Sequence, residues 1–407
     1  MTKRQTRIVV LGAGYAGLLA TVRLAGKTRR SNVSITLVNA SDTFVERLRL
    51  HQLAANQAIQ PRPIQQTLKG TGVQFIQGVA NAIDTPRREI SVLTPTDTQH
   101  VGYDHLLYAL GSTIEQDRVP GVRKYAFVLT PTGPFSAAAL REKLPKLNAI
   151  GGRMVVCGGG ATGIEAAAEF AKAYPKLRVQ LVTRSEFGAF MGKKVAGYMR
   201  QSLDELGIVI QDRTTITEVN ASEIMTATGE VISCDACLWT GGFAVPALAR
   251  EAGLAVNERG QILIDPFMRS ISHPEIFAIG DAAHPVEEPG VAVRMSAFTA
   301  VVLGAHGADC LSAVIRGTLP KPLSFAYAGQ GIALGHHNAI GFNTYPNDKP
   351  NLPHFTGRLG YEFREFFVRF LTDLPNLERR WPGFFFWLGK GRYAASQRQT
   401  QQQLKVE

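Results

Sequence analysis

Cysteine, charge and long apolar runs are all scarce in this sequence. Four cysteines in 407 residues exclude a disulfide scaffold and fit a reducing compartment. The one CxxC, Cys234–Cys237, lacks the two further ligands a zinc site needs, so no metal is expected. No run of about 20 apolar residues occurs, so no membrane-spanning helix is expected. The basic start could pass for a secretory leader, but its apolar residues enter a glycine-rich turn with no small-residue cleavage site. A cytoplasmic location follows, with attachment to a membrane surface left open. Charged residues make up only 19% and apolar residues 45%, which excludes disorder over most of the chain. At about 100–200 residues per domain, the length implies two to four domains. The net charge of +11 favours phosphate-bearing or otherwise anionic partners, or is simply a diffuse solubilising charge. No aromatic-interleaved basic motif is present, so nucleic acid is not expected as a partner.

What is present is a repeated plan. Arg7–Leu11 (RIVVL) reads as a short buried strand, GAGYAG as a turn, and the Ala/Leu-rich stretch to about Gly26 as a helix. SITLVNA is a second strand, which completes the opening of a nucleotide-binding unit. Further strands are predicted at Val73–Ile83 and Glu89–Leu93, and YDHLLYALGS at 103–112 closes the section. The order then recurs, with Arg153–Cys157 as strand, GGGATG as turn, IEAAAEFAKAY as helix, RVQLVTRS as strand and CDACLWTGGF at 234–243 as the closing segment. The two copies are offset by 146 positions, Gly12 to Gly158, a duplication of two units rather than a solenoid. After about Leu254 come HPEIFAIGDAA at 273–283 and LSFAYAGQGIALGHHNAIGF at 323–342, the latter alternating like antiparallel strands. Beyond His354 aromatic and basic residues crowd together, and SQRQTQQQL reads as a disordered polar tail.

The glycines carry the chemistry. Gly12, Gly14, Tyr15, Ala16 and Gly17 sit between a predicted strand and a predicted helix, the context that gives a GxGxxG motif meaning. Side chains there would block backbone from a pyrophosphate, and the helix N-terminus offers unpaired N–H groups to it. Asn39 stands where an acidic residue usually binds ribose, so contact there lacks charge-assisted strength. The second turn holds Gly158, Gly160, Thr162 and Gly163. Its following strand ends in Thr183 and Arg184, with no carboxylate to repel a 2′-phosphate, which favours NADPH over NADH. Arg184 is otherwise an ordinary surface arginine. Glu165 either caps the N–H groups of its own helix or meets the nicotinamide or flavin edge.

With Gly280-Asp281 in IFAIGDAA the series is complete, and about residues 5–340 resemble the two-dinucleotide-binding-domain flavoproteins of the pyridine nucleotide-disulfide oxidoreductase superfamily. The resemblance implies an α/β fold with two Rossmann-like domains. FAD would lie in the first (1–118 and 255–343), NAD(P)H in the inserted second (119–254), and a C-terminal segment would follow (344–407). By the same resemblance Val79 and Ala80 lie on the strand whose backbone meets adenine. Gly111, Asp281 with Gly280, and Met295 and Ser296 at a helix start would hold the rest of FAD. Gly241 and Gly242 would close the NAD(P)H site.

The resemblance also sorts the branches. No cysteine pair occurs in TFVERLRLHQLAANQ or before the second turn, where disulfide reductases carry theirs. Cys234 and Cys237 are three apart on a strand and point to opposite faces, so all four cysteines read as packing residues. Electrons would then leave the flavin for another acceptor, as in ferredoxin reductases, apoptosis-inducing-factor-like proteins and type II NADH:quinone oxidoreductases. The C-terminal segment favours the last. Tyr361, Phe363, Phe366, Phe367, Phe370, Leu371 and Leu374 recur at roughly helical spacing, accompanied by Arg364, Arg369, Arg379 and Arg380. Such a helix can lie in a membrane interface, or else form a dimer interface or packed subdomain. The helix after Gly-Asp lacks the glutamines usual in that family. Arg47 and His51 would lie near the flavin, and His51, with a pKa close to neutral, could pass a proton to the flavin or to a reduced quinone. A homodimer is left open.

Overall fold

The computed structural model describes residues 4–287 and 291–391; the polar tail lies outside them. Two parallel sheets of five strands form the frame. Across the first, the strands run Ile276–Ala278, His105–Tyr108, Thr6–Leu11, Val33–Asn39 and Gln74–Gln77. Across the second they run Ala126–Phe127, Ala236–Trp239, Arg153–Cys157, Arg178–Val182 and Val209–Gln211. The last strand of the first sheet arrives only after the whole second sheet, so the second unit is inserted into the first. Val9, Val10, Leu11 and Met154 to Cys157 are all buried, as expected for short apolar strands covered on both faces.

Each glycine turn leaves a central strand and starts a helix. Helix α1 (Tyr15–Thr28) follows the first. A short helix, α2 (Leu50–Ala54), lies between the units, and α3 (Ala161–Ala173) follows the second turn. Helix α4 (Ala297–Ile315) is long and apolar enough to cross a membrane by length and composition, which the search for apolar runs did not pick out. It packs instead in the core, and 78% of its most apolar window is buried. Its backbone meets α1 closely, because a Cβ at Gly304 would stand 2.5 Å from the Ala16 carbonyl oxygen.

The antiparallel region is a three-stranded sheet of Gly329–Ala333, Ala339–Thr344 and Pro350–Phe355. It runs across the 343/344 boundary drawn from sequence. The last helix, α5 (Gly357–Arg380), lies on this sheet and against α1. Its inner face is pinned by Arg23 of α1, which is 1% exposed. Arg23 donates to Asp309 at 2.7 and 3.0 Å and to Glu378 at 2.5 Å. Leu371 and Leu374, read as membrane-facing, are core residues.

Candidate functional site

The two turns are built alike. Gly12 has φ +96°, and Gly158 has φ +128°, a region that favours glycine. A Cβ at Gly17 would overlap the Gly12 carbonyl oxygen, and one at Gly163 would overlap that of Gly158. Gly14 and Gly160 differ, since a Cβ at either would meet nothing within 4 Å. These two open glycines face a cavity of about 900 Å³. Asn39 lines it too, but both ends of its amide are engaged by backbone: Oδ1 accepts from Ala13 N at 2.9 Å, and Nδ2 donates to Ser41 O at 2.7 Å. Asn39 therefore ties its strand to the turn.

The cavity continues past Tyr15, Ala16, Val79, Ala80 and Gly111 to Gly280 and Asp281. Asp281 Oδ2 accepts from Ser112 Oγ at 2.7 Å, while the buried Oδ1 has no hydrogen-bond partner. Burial pushes the Asp281 carboxyl up, and the Ser112 bond and Arg47 oppose this. Arg47 lines the cavity and donates to Ser112 O at 2.5 Å. Met295 and Ser296 also line it, and Ser296 caps α4 by accepting from Thr299 N at 3.2 Å. Two features fit FAD. Gly14 leaves room for pyrophosphate at the α1 N-terminus, and the unpartnered Asp281 oxygen suits a ribityl hydroxyl. Bound there, FAD supplies a hydride and electron carrier.

Of the second-unit residues, Gly160, Thr162 and Glu165 line the same cavity, together with Thr240 and Phe243. Gly158, Gly163, Gly241 and Gly242 do not line it. Thr183 is buried behind Gly159, and Arg184 is exposed beyond its strand. Glu165 does not cap its own helix. Its Oε1 accepts from Ala333 N at 3.0 Å and from Arg364 Nε and Nη2 at 3.2 and 3.0 Å. Arg364, read as a membrane-facing charge, is 3% exposed, because its side of α5 turns inward. His51 departs from expectation as well. It does not line the cavity, and burial drives its pKa down to about 4, Glu165 opposing and Arg364 and Arg49 reinforcing. It is neutral at pH 7 and ill suited to gain a proton.

Three cavity contributors escaped the sequence reading: Gln330, and Phe363 and Phe367 as cavity wall. Gln330 Nε2 donates to Asp348 at 2.9 Å, and Asp348 pairs with the cavity residue Arg294 at 2.9 Å. A glutamine thus reaches the cavity from a strand, where none comes from α4. The four cysteines are free and buried. The sulfur beside Cys237 is that of Cys157 on the next strand, at 3.6 Å.

Comparison with known proteins agrees with this geometry. Residues 6–301 match the pyridine nucleotide-disulphide oxidoreductase family. Demethylphylloquinone reductase NdbB of Synechocystis is 28% identical over 84% of this chain and 87% of its own length. A type II NADH:quinone oxidoreductase of Staphylococcus haemolyticus is 25% identical over 84% and 90%. Among solved structures, sulfide:quinone oxidoreductase of Aquifex aeolicus has TM-score 0.77 at 18% identity, covering 91% of this chain and 92% of its own. NDH2 of Plasmodium falciparum in complex with NADH has TM-score 0.76 at 16% identity, covering 93% and 99%. The chain belongs to the pyridine nucleotide-disulphide oxidoreductase family and is a flavoprotein oxidoreductase of its NADH dehydrogenase type.

Proposed function

We propose that this protein oxidises NAD(P)H and passes two electrons, by way of FAD, to a quinone at the inner face of the cell membrane. One observation carries the reading. A single cavity joins the first glycine turn, Thr162 and Glu165 of the second unit, and an apolar wall of Phe363, Phe367 and Leu371 from α5. Nicotinamide and flavin can meet there, since hydride transfer requires near contact more than a protein acid. The apolar wall suits a hydrophobic acceptor, and the names of the Synechocystis and Staphylococcus relatives support a quinone.

The outer side of the same region supports docking. Leu359, Phe366, Trp381, Phe384, Phe386 and Leu388 are exposed, with the exposed Arg369 and Arg380 nearby in sequence. Aromatic and basic side chains together favour an anionic interface. Arg184 supports use of NADPH beside NADH. The test is steady-state oxidation of NADH and NADPH by the purified yellow protein with benzoquinones, naphthoquinones, ferricyanide and oxygen. Quinone reduction well above oxygen reduction is expected. Reduction of ferricyanide alone would refute the quinone assignment.

A further inference from the structure

Behind Glu165 lies a chain of alternating charges. Arg364 bridges Glu165 at 3.0 Å and Glu365 at 2.7 Å. Arg49 bridges Glu365 at 2.7 Å and Glu46 at 3.2 Å. Arg62 then links Glu46 at 2.8 Å to Asp373 at 2.5 Å, half exposed at the surface. Every carboxylate in this run touches a guanidinium, which is how buried charge is tolerated.

Glu169 stands outside the alternation. It follows Glu165 by one turn of α3, on the same helix face. It is 2% exposed, and among the described residues no cation pairs with it. Its one hydrogen bond comes from the half-buried Gln57 Nε2. Arg364, Glu365 and Tyr361 face it from α5, and Glu165 faces it from its own helix. Lys172, three residues on, is exposed, and His51 of α2 is neutral. Burial, partly opposed by Arg364 and reinforced by Glu165, raises the Glu169 carboxyl to about 7. Glu165 complements it. All its hydrogen bonds fall on Oε1, and Oε2 takes none among the described residues, although Glu165 lines the cavity.

We propose that Glu169 is the proton source for the acceptor, giving its proton to Glu165, which delivers it into the cavity. This rests on the quinone reading above. NADH, a quinone and one proton yield NAD+ and a quinol. The hydride carries two electrons and one proton, so the second proton must come from solvent. The Glu169 O–H bond breaks as the Glu165 carboxylate takes the proton. Glu165 then loses it as the second quinol O–H bond forms. Glu169 is reprotonated from water on the Gln57 side.

The experiment uses the FAD-loaded full chain and compares Glu169→Gln with Glu169→Asp. Menadione is the proton-requiring acceptor, and ferricyanide takes electrons without protons. Glu169→Gln is expected to lower the ratio of menadione to ferricyanide turnover by at least about tenfold. It should also abolish the inflection of menadione kcat near pH 7. Glu169→Asp should retain an inflection. Infrared titration supplies a readout independent of turnover. A protonated-carboxyl band should titrate near pH 7 in the wild type and be missing in Glu169→Gln. An unaltered pH profile in Glu169→Gln, or no such band, overturns the route. Equal loss of both activities assigns Glu169 to the architecture and overturns it too. A wild type that reduces ferricyanide but no quinone overturns the acceptor reading, and this inference with it.

Discussion

Replacing Gly14 by valine should separate FAD binding from folding. Gly14 is the residue before α1 and has φ −73° and ψ −167°, extended backbone that valine adopts readily. A Cβ there meets nothing within 4 Å of protein. Exchange of glycine for an aliphatic residue at this helix boundary costs under about 1 kcal/mol. The added methyl groups occupy the space through which a pyrophosphate reaches the α1 N-terminus. Two lost charge-assisted hydrogen bonds at about 1.5–3 kcal/mol each weaken FAD binding by roughly 10²–10⁴-fold. The purified variant should therefore be colourless. Its apoprotein should melt within a few degrees of wild-type apoprotein, and fluorescence titration should show the loss in FAD affinity. Gly17→Ala is the counterpart. Its Cβ overlaps the Gly12 oxygen, so the turn itself must distort and the apoprotein should lose about 1–3 kcal/mol. A Gly14→Val protein that stays yellow with near wild-type affinity would refute the placement of the phosphates.

Other expectations follow from the same structure. Arg23→Ala should cost about 3–5 kcal/mol in denaturant unfolding, because it strands the fully buried Glu378. Burial pushes Asp309 up, but Arg23 and Lys27 hold its carboxyl well below the usual range. Its contribution is therefore present above the ordinary carboxylate pKa and lost as the solution is acidified through and below it. The acid dependence of stability should be flatter in Arg23→Ala. Arg184→Ala should raise the NADPH KM about tenfold and the NADH KM much less; equal effects would remove the 2′-phosphate role. Phe366→Ser with Phe386→Ser should cut sedimentation with phosphatidylglycerol vesicles while ferricyanide reduction persists, since both rings are exposed. Undiminished sedimentation would exclude this face as the docking surface. Truncation at Thr356 is a poorer test, because it also removes the core residues Leu371 and Leu374.

Much of the frame was legible because its causes are local. The positive φ of Gly12 and Gly158 and the overlap that any Cβ at Gly17 or Gly163 would create bind residues a few positions apart, so they leave a mark in a short motif. Buried parallel strands likewise show as short apolar runs. Arg364 illustrates the reverse. Read alone among aromatic neighbours, it passes for a membrane-facing cation, because an unpaired charge is too costly to bury. Its burial depends on Glu165, 199 positions away, and no local pattern announces that pair. His51 has an ordinary pKa in isolation, and only the packing of α2 between the units makes it neutral.

The sequence by itself therefore determined the two nucleotide-binding turns, their order and the insertion of one unit in the other, through steric rules that act over a few residues. Only the tertiary structure decided which face of α5 turns inward, that Glu165 is held from two other elements, and that Glu169 is left as the unpaired buried carboxyl. Those outcomes depend on desolvation and pairing between distant segments, which exist only once the chain has packed.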